Sequence, residues 1–292
     1  MLELAGYLAS NKALLIGSAF LFGLLVGSFL NVVILRLPAW LEWRWTSDCR
    51  EMLELEPLDA AEKPPGIVVQ SSRCPKCGHK LAAWENIPLL SFLLLRGRCR
   101  GCKTPISWQY PLVELLTGVA CALVVWQFGA TWQSLAVLVF TGMAIGMSGI
   151  DMRTTLLPDG MTLPLLWLGL LVSLVPLFVS PADAIIGAAV GYLSLWSVYW
   201  GFKLLTGKEG MGYGDFKLLA AIGAWCGVNA ILPVVLISSL IGAIVGGAWL
   251  AIRGRDRATP IPFGPFLAAA GWVQLVFAPD LLGAYMGAVG LR

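Results

Sequence analysis

The stretch "DFKLLAAIGAWCGVNAILPVVLISSLIGAIVGGAWLAI", Asp215 to Ile252, carries charge only at its opening, at Asp215 and Lys217. A bilayer core is crossed by about 20 apolar residues. The stretch is therefore long enough for two crossings. Read as one span, it would send the basic cluster that follows, Arg253, Arg255 and Arg257, to the face opposite the other basic loops. Read as a short span at 215–228 and a second at 230–252, it keeps every basic cluster on one side.

Working outward, further apolar runs stand at 13–35, 110–128, 131–150, 161–180, 183–202 and 263–288. They make eight spans in all. The composition agrees, with 58% hydrophobic and only 13% charged residues among 292, far too apolar for a soluble domain. Of the 20 lysines and arginines, 18 fall in alternate loops, and only Lys12 and Arg292 lie on the other side. Basic loops are retained in the cytoplasm. Both termini are thus expected outside, and the net charge of +3 reflects membrane topology, not nucleic-acid binding. The start, "MLELAGYLASNKALL", lacks a basic region and leads into a run of full span length, so it is read as a retained span and not a cleaved signal. The expected fold is an all-α polytopic membrane protein of about eight transmembrane helices.

The soluble part is the loop 36–109. Its first half, "EWRWTSDCREMLELEPLDAAEKPPG", reads as a short surface helix and a turn near Pro64 and Pro65. Its second half holds Cys74-x2-Cys77 and Cys99-x2-Cys102. Two such knuckles bring four thiolates round one ion, a closed tetrahedral shell suited to one structural zinc. Gly78 and Gly101 are expected to supply the tight turns. The competing reading is a redox pair. His79 is a bystander where four sulfurs suffice. Cys121 and Cys226 lie in apolar spans as packing residues, and Cys49 is a lone loop thiol.

His79 is the only histidine, which excludes a Ser–His–Asp triad and an HExxH metal site. Hydrolytic chemistry would have to rest on carboxylates or lysine. "SGIDMRTTLLPDG" places Asp151 at the inner end of the third span, and "GMGYGDFK" places Asp215 at the inner start of the sixth. Ionisable groups at membrane depth are functional candidates by default. Two carboxylates held together share a proton; one then acts as base on water while the other donates to a carbonyl. The plainer alternatives are a helix N-cap for Asp215 and an ion pair with Arg153 or a lysine for Asp151. Asp159, in "LLPDG", reads as a cap or turn residue. The glycines at 210, 212 and 214 follow no strand, so a nucleotide loop is rejected, and they read instead as room for a peptide backbone. "GMAIG", "GAAVG" and "GAIVG" read as small-residue packing faces, and Pro176, more than Pro164, as a kink in the fourth span.

These motifs together resemble the type IV prepilin peptidases, over essentially the whole chain. The matching stretches are "GSFLNVVILRLP" (27–38), the cysteine segment 74–114, "IDMRTTLLPDGMTLPLLWLGLL" (150–171), "GKEGMGYGDFKLLAAIGAW" (207–225) and "ATPIPFGP" (258–265). The resemblance implies Asp151 and Asp215 as the catalytic pair, and Cys74, Cys77, Cys99 and Cys102 as zinc ligands in a cytoplasmic loop between helices 1 and 2. It implies prepilin and type II secretion pseudopilin substrates, cut after a glycine at the cytoplasmic face of the bacterial inner membrane. It also implies methylation of the new N-terminal amine from S-adenosylmethionine. On that reading residues 1–109 form a methyltransferase-associated part, 110–292 the peptidase domain, and both termini are periplasmic. Membrane lipid is an expected partner and nucleic acid is not. No Gly-rich strand–turn–helix motif for S-adenosylmethionine is visible, so its site, expected near spans 1 and 2, has no named residues. The alternatives are another GxGD intramembrane protease, which the CxxC segment opposes, or an ion-coupled transporter.

Overall fold

A computed structural model describes residues 11–59, 62–68, 70–208, 210–253 and 262–289. The termini, Glu209, and the stretch holding Arg255, Arg257 and Pro260 lie outside the described residues. Within them the regular structure is helical, with two isolated antiparallel bridges, Arg73 with Lys80 and Arg98 with Pro105. In chain order the helices are α1 (Lys12–Met52), the short α2 (Leu90–Leu94), α3 (Gln109–Phe128), α4 (Trp132–Thr154) and α5 (Asp159–Ser173). Then come α6 (Pro181–Thr206), α7 (Tyr213–Cys226), α8 (Ile231–Arg253) and α9 (Gly264–Val289). Each apolar run expected to span is helical. Five stretches, α1, α3, α4, α6 and 228–248, are long and apolar enough to cross a membrane.

Two departures from the sequence reading have local causes. The first helix does not stop at the end of its apolar run. It continues through Pro38 to Met52, 41 residues in one piece, so the expected separate surface helix is its outer half and Cys49 sits on a helix, not in a loop. The residues beyond Pro38 mix charged and aromatic side chains, so the apolar run ends there while the helix goes on. Arg36 donates to the carbonyls of Gly66 (2.7 Å) and Gln70 (2.9 Å), and Arg50 to that of Glu56 (2.6 Å), which ties the returning chain to the helix. The second departure is at α5. It ends at Ser173, ahead of Pro176, while Pro164 lies inside it. Pro176 therefore follows the helix and does not kink it; proline removes a donor and disfavours helix in the residue before it.

The chain packs as two compact units, Met1–Gly129 and Ala130–Arg292, so α3 belongs with the N-terminal unit, although the sequence division placed it after residue 109. In the first unit α1 lies on α3 through glycine. A Cβ at Gly23 would sit 2.8 Å from the Cα of Gly118, and one at Gly27 would sit 2.7 Å from the Cα of Glu114. In the second unit the shortest helix is central. α7 packs against α5, α6 and α9, and Phe216, Leu218, Leu219, Ala221, Ile222 and Ala224 are fully buried. A helix buried on every side has no lipid-facing stripe to satisfy, so it need not span the whole bilayer. The "GAAVG" face fulfils its expected role: a Cβ at Gly187 would fall on the carbonyl oxygen of Gly223, and one at Gly191 would lie 2.6 Å from that of Leu219. Ser180 caps α6 by accepting the N–H of Asp183, with Pro181 opening the helix.

Candidate active site and metal centre

Asp151 stands in the last turn of α4 and Asp215 in the first turn of α7. Each is set by its helix boundary. Thr155, in the left-handed region at φ 51°, ends α4 by returning its N–H to the carbonyl of Asp151. Gly212 caps α7 without a side-chain bond, so Asp215 is not the N-cap residue, although it interacts with the Gly212 backbone. Both carboxylates are buried, at 4% and 7% exposure, and close enough for the charge on one to act on the other. Asp151 Oδ2 accepts the backbone N–H of Gly264 at 3.0 Å. Asp215 Oδ1 has no hydrogen-bond partner among the described residues. A buried acceptor without a donor is costly. It is an open place for a water or a substrate group. Asp159 stands apart from the pair, more than half exposed, and accepts from Lys217 Nζ at 2.6 Å.

The glycines divide by task. A Cβ at Gly214 would lie 2.6 Å from that of Leu157, and one at Gly210 would lie 2.9 Å from the ring of Phe202. These two make room for the protein's own side chains, not for a peptide. Gly212 alone of the three has room for a side chain: a Cβ there would make only ordinary contact, nearest Asp215 Oδ2 at 3.8 Å. Beside it, Tyr213 and Phe216 stack with Tyr199 of α6, ring centres 5.3 to 5.6 Å apart, and form an aromatic wall along the first turn of α7.

The four paired cysteines converge, all sulfurs lying within 4.8 Å of one another. Cys74 and Cys102 Sγ are 3.8 Å apart and Cys77 and Cys99 Sγ 3.9 Å, and none is in a disulfide. Four sulfurs at metal–sulfur distances of about 2.3 Å form a tetrahedron with edges of roughly 3.8 Å, so the cluster fits one ion. Each knuckle closes on a residue with positive φ directly after its second cysteine, Gly78 (70°) and Lys103 (59°). Gly101 is thus not the second turn residue. It instead leaves space for Cys77 Sγ, 3.4 Å from where its Cβ would be. The N–H of Cys77, then that of Lys76, holds the Cys74 thiol low. The hydroxyl and N–H of Thr104 bring Cys102 down to about 6. The His79 N–H also pulls on Cys77, but burial and the neighbouring sulfurs outweigh it and leave that thiol up at about 11. Sulfurs this close could bind a metal cation together, which would hold all four as thiolates. His79 is not a ligand; its Nε2 meets Glu85 Oε2 at 3.2 Å. The Ala82 N–H, then His79, holds the Glu85 carboxyl below its ordinary range.

The profile of the bacterial peptidase A24 N-terminal domain matches residues 21–128, and that of the type IV leader peptidase family matches residues 138–247. The chain is 59% identical over 270 residues to the prepilin leader peptidase/N-methyltransferase of Xanthomonas campestris pv. campestris, covering 92% of this chain and 94% of the relative. It is 50% identical over 291 residues to that of Pseudomonas aeruginosa, covering 100% of both. This chain belongs to the type IV leader peptidase family. A third member, from Neisseria gonorrhoeae, is 48% identical over 255 residues, covering 87% of this chain and 88% of the relative. No solved structure matches the chain.

In this family member the sequence reading picked out the two aspartates as candidates but missed the amide of Gly264, which donates to Asp151. A backbone donor has no side-chain signature. Its only trace was the "IPFGP" motif, which the resemblance marked without giving it a task. The Lys217–Asp159 pair was equally hidden, since 58 residues separate its members.

Proposed function

We propose that this chain removes the short basic leader from type IV prepilins and type II secretion pseudopilins, then N-methylates the new N-terminal residue. Asp151 and Asp215 are the catalytic pair: one takes a proton from the attacking water while the other donates to the scissile carbonyl. Their meeting across α4 and α7, buried together with one carboxylate oxygen unpartnered, is the observation that carries this reading. The enzyme sits in the bacterial inner membrane with eight spans and periplasmic termini. The aspartates and the cysteine segment face the cytoplasm, a reading that the lysine and arginine distribution supports. Cys74, Cys77, Cys99 and Cys102 hold one structural zinc, which closes the two knuckles on each other. The sequence division assigned residues 1–109 to methyl transfer and 110–292 to proteolysis; because α3 packs within the unit Met1–Gly129, we assign methyl transfer to that unit and proteolysis to Ala130–Arg292. S-adenosylmethionine supplies an electrophilic methyl group when bound.

The test is a mass spectrum of the prepilin N-terminus after incubation with purified enzyme and S-adenosylmethionine. Wild type should yield the shortened, singly methylated chain and contain one zinc per protein. Asp151→Asn and Asp215→Asn should leave the precursor intact while still methylating a pre-cleaved chain. Cleavage surviving either substitution would remove that aspartate from the mechanism.

A further inference from the structure

The α1–α3 interface is built from glycine and apolar side chains, yet it buries a carboxylate and an amide. Glu114 is 8% exposed and Asn31 1%. Glu114 Oε2 accepts the N–H of Leu89 at 2.8 Å, and its carboxylate also interacts with the Ser28 hydroxyl. Asn31 lies one turn further along the same interface. Its Nδ2 donates to the carbonyls of Gly27 (3.3 Å) and Tyr110 (3.1 Å). Both partners are acceptors, so the amide can point only one way, and Oδ1 is left as a buried acceptor without a donor among the described residues. The geometry ties the two groups together. Gly27 packs on the Cα of Glu114, and Tyr110 is one turn before Glu114 on α3.

A purely structural role explains only part of this. Leu89 takes φ 57° and ψ −46°, a backbone conformation unfavourable for a leucine, and in it aims its N–H at Glu114. Holding that N–H needs an acceptor but not a charge. Glutamine would serve, and a carboxylate at this depth is far costlier to bury. What a carboxylate beside an orphan acceptor lacks is a cation with several N–H donors. A primary ammonium carries one charge and three such donors.

We propose that Glu114 and Asn31 form the receptor for the α-ammonium of the processed substrate, and that Glu114 is the base that prepares it for methylation. This rests on the reading that the chain is an N-methyltransferase. Glu114 takes one proton from the ammonium and becomes a neutral acid. The freed nitrogen lone pair then bonds to the methyl carbon, and the carbon–sulfur electron pair leaves with the sulfur of the donor sulfonium. The product is a secondary ammonium and a neutral thioether.

The full chain in lipid nanodiscs is tested with a pre-cleaved pilin peptide, its N-terminus either free or acetylated. Glu114→Gln, which still accepts from Leu89, should cleave prepilin within about twofold of wild type but methylate about 10²–10⁴ times more slowly, the range for loss of a general base. It should bind the free-amine peptide about 30-fold or more weaker, as for one lost partner of a buried charge pair, and the acetylated peptide unchanged. Asn31→Ser, which leaves the Leu89 contact intact, should show the same split at smaller size. Glu114→Gln methylating at the wild-type rate, or wild type binding the two peptides equally, would overturn the proposal. A wild-type chain that prefers the free amine yet transfers no methyl group would retain the receptor and overturn the methyltransferase reading.

Discussion

A single backbone amide, that of Gly264, holds Asp151 in place at 3.0 Å, and only a residue without a side chain fits there. A Cβ at this position would lie 2.7 Å from Asp151 Oδ2 and 3.1 Å from Leu157 Cδ1. Gly264→Ala should therefore push the carboxylate off its position. Misplacement of a catalytic group on the scale of 1 Å costs about 10²-fold in rate. Prepilin cleavage, followed by gel shift, should fall by about that factor, while methylation of a pre-cleaved chain stays at the wild-type rate. An equal fall in both activities would mean that the substitution damages more than the dyad. Asp159 serves as a contrast. Its ion pair with Lys217 is half in solvent, where such pairs contribute about 0–1 kcal/mol, and nothing ties it to the reacting atoms.

Among the elements, α6 and α7 meet backbone to backbone at Gly187 and Gly223, so this contact tolerates no added atom. Gly187→Ala should destabilise the protein by about 1–3 kcal/mol, the range for overpacking a filled interface. Gly201→Ala, on the same helix but facing open space, should instead stabilise it by up to about 1 kcal/mol through helix propensity. Thermal unfolding in detergent measures both, and equal signs would refute the packing account. The sequence showed this interface because small residues four apart have few other uses in a span. It showed the spans because lipid demands long apolar runs, and both aspartates because charge at that depth is rare. Other features obey rules that hydropathy does not record. The outer half of α1 lies beyond the apolar run, so it read as a separate surface helix and not as the continuation of the first span. α5 stops at Ser173 within a run that is still apolar. Lys103 took the left-handed turn that glycine was expected to fill, because the knuckle needs a conformation there and does not require a particular residue. The aromatic wall beside Asp215 joins residues of two helices, and only folding brings them together.

For the whole molecule, topology is the property on which both activities depend. Cys49 is exposed on the outer half of α1, beyond the apolar run. A membrane-impermeant maleimide should modify it in inverted inner-membrane vesicles and leave it unmodified in intact spheroplasts, with the labelled peptide identified by mass spectrometry. The reverse result would turn the protein over and place the carboxylates on the periplasmic side. The length of α1 has a mechanical meaning as well. At 1.5 Å per residue its 41 residues make a rod of about 60 Å, twice the roughly 30 Å of a hydrocarbon core. Such a rod is a lever with its pivot at the membrane surface. A bilayer that thins or thickens makes a spanning helix lean or straighten, and a rotation of about 10° would swing the far end by about 5 Å. The chain that Arg36 and Arg50 fasten to this arm leads into the cysteine knuckles. Lipid composition would then act on the cysteine segment as a displacement.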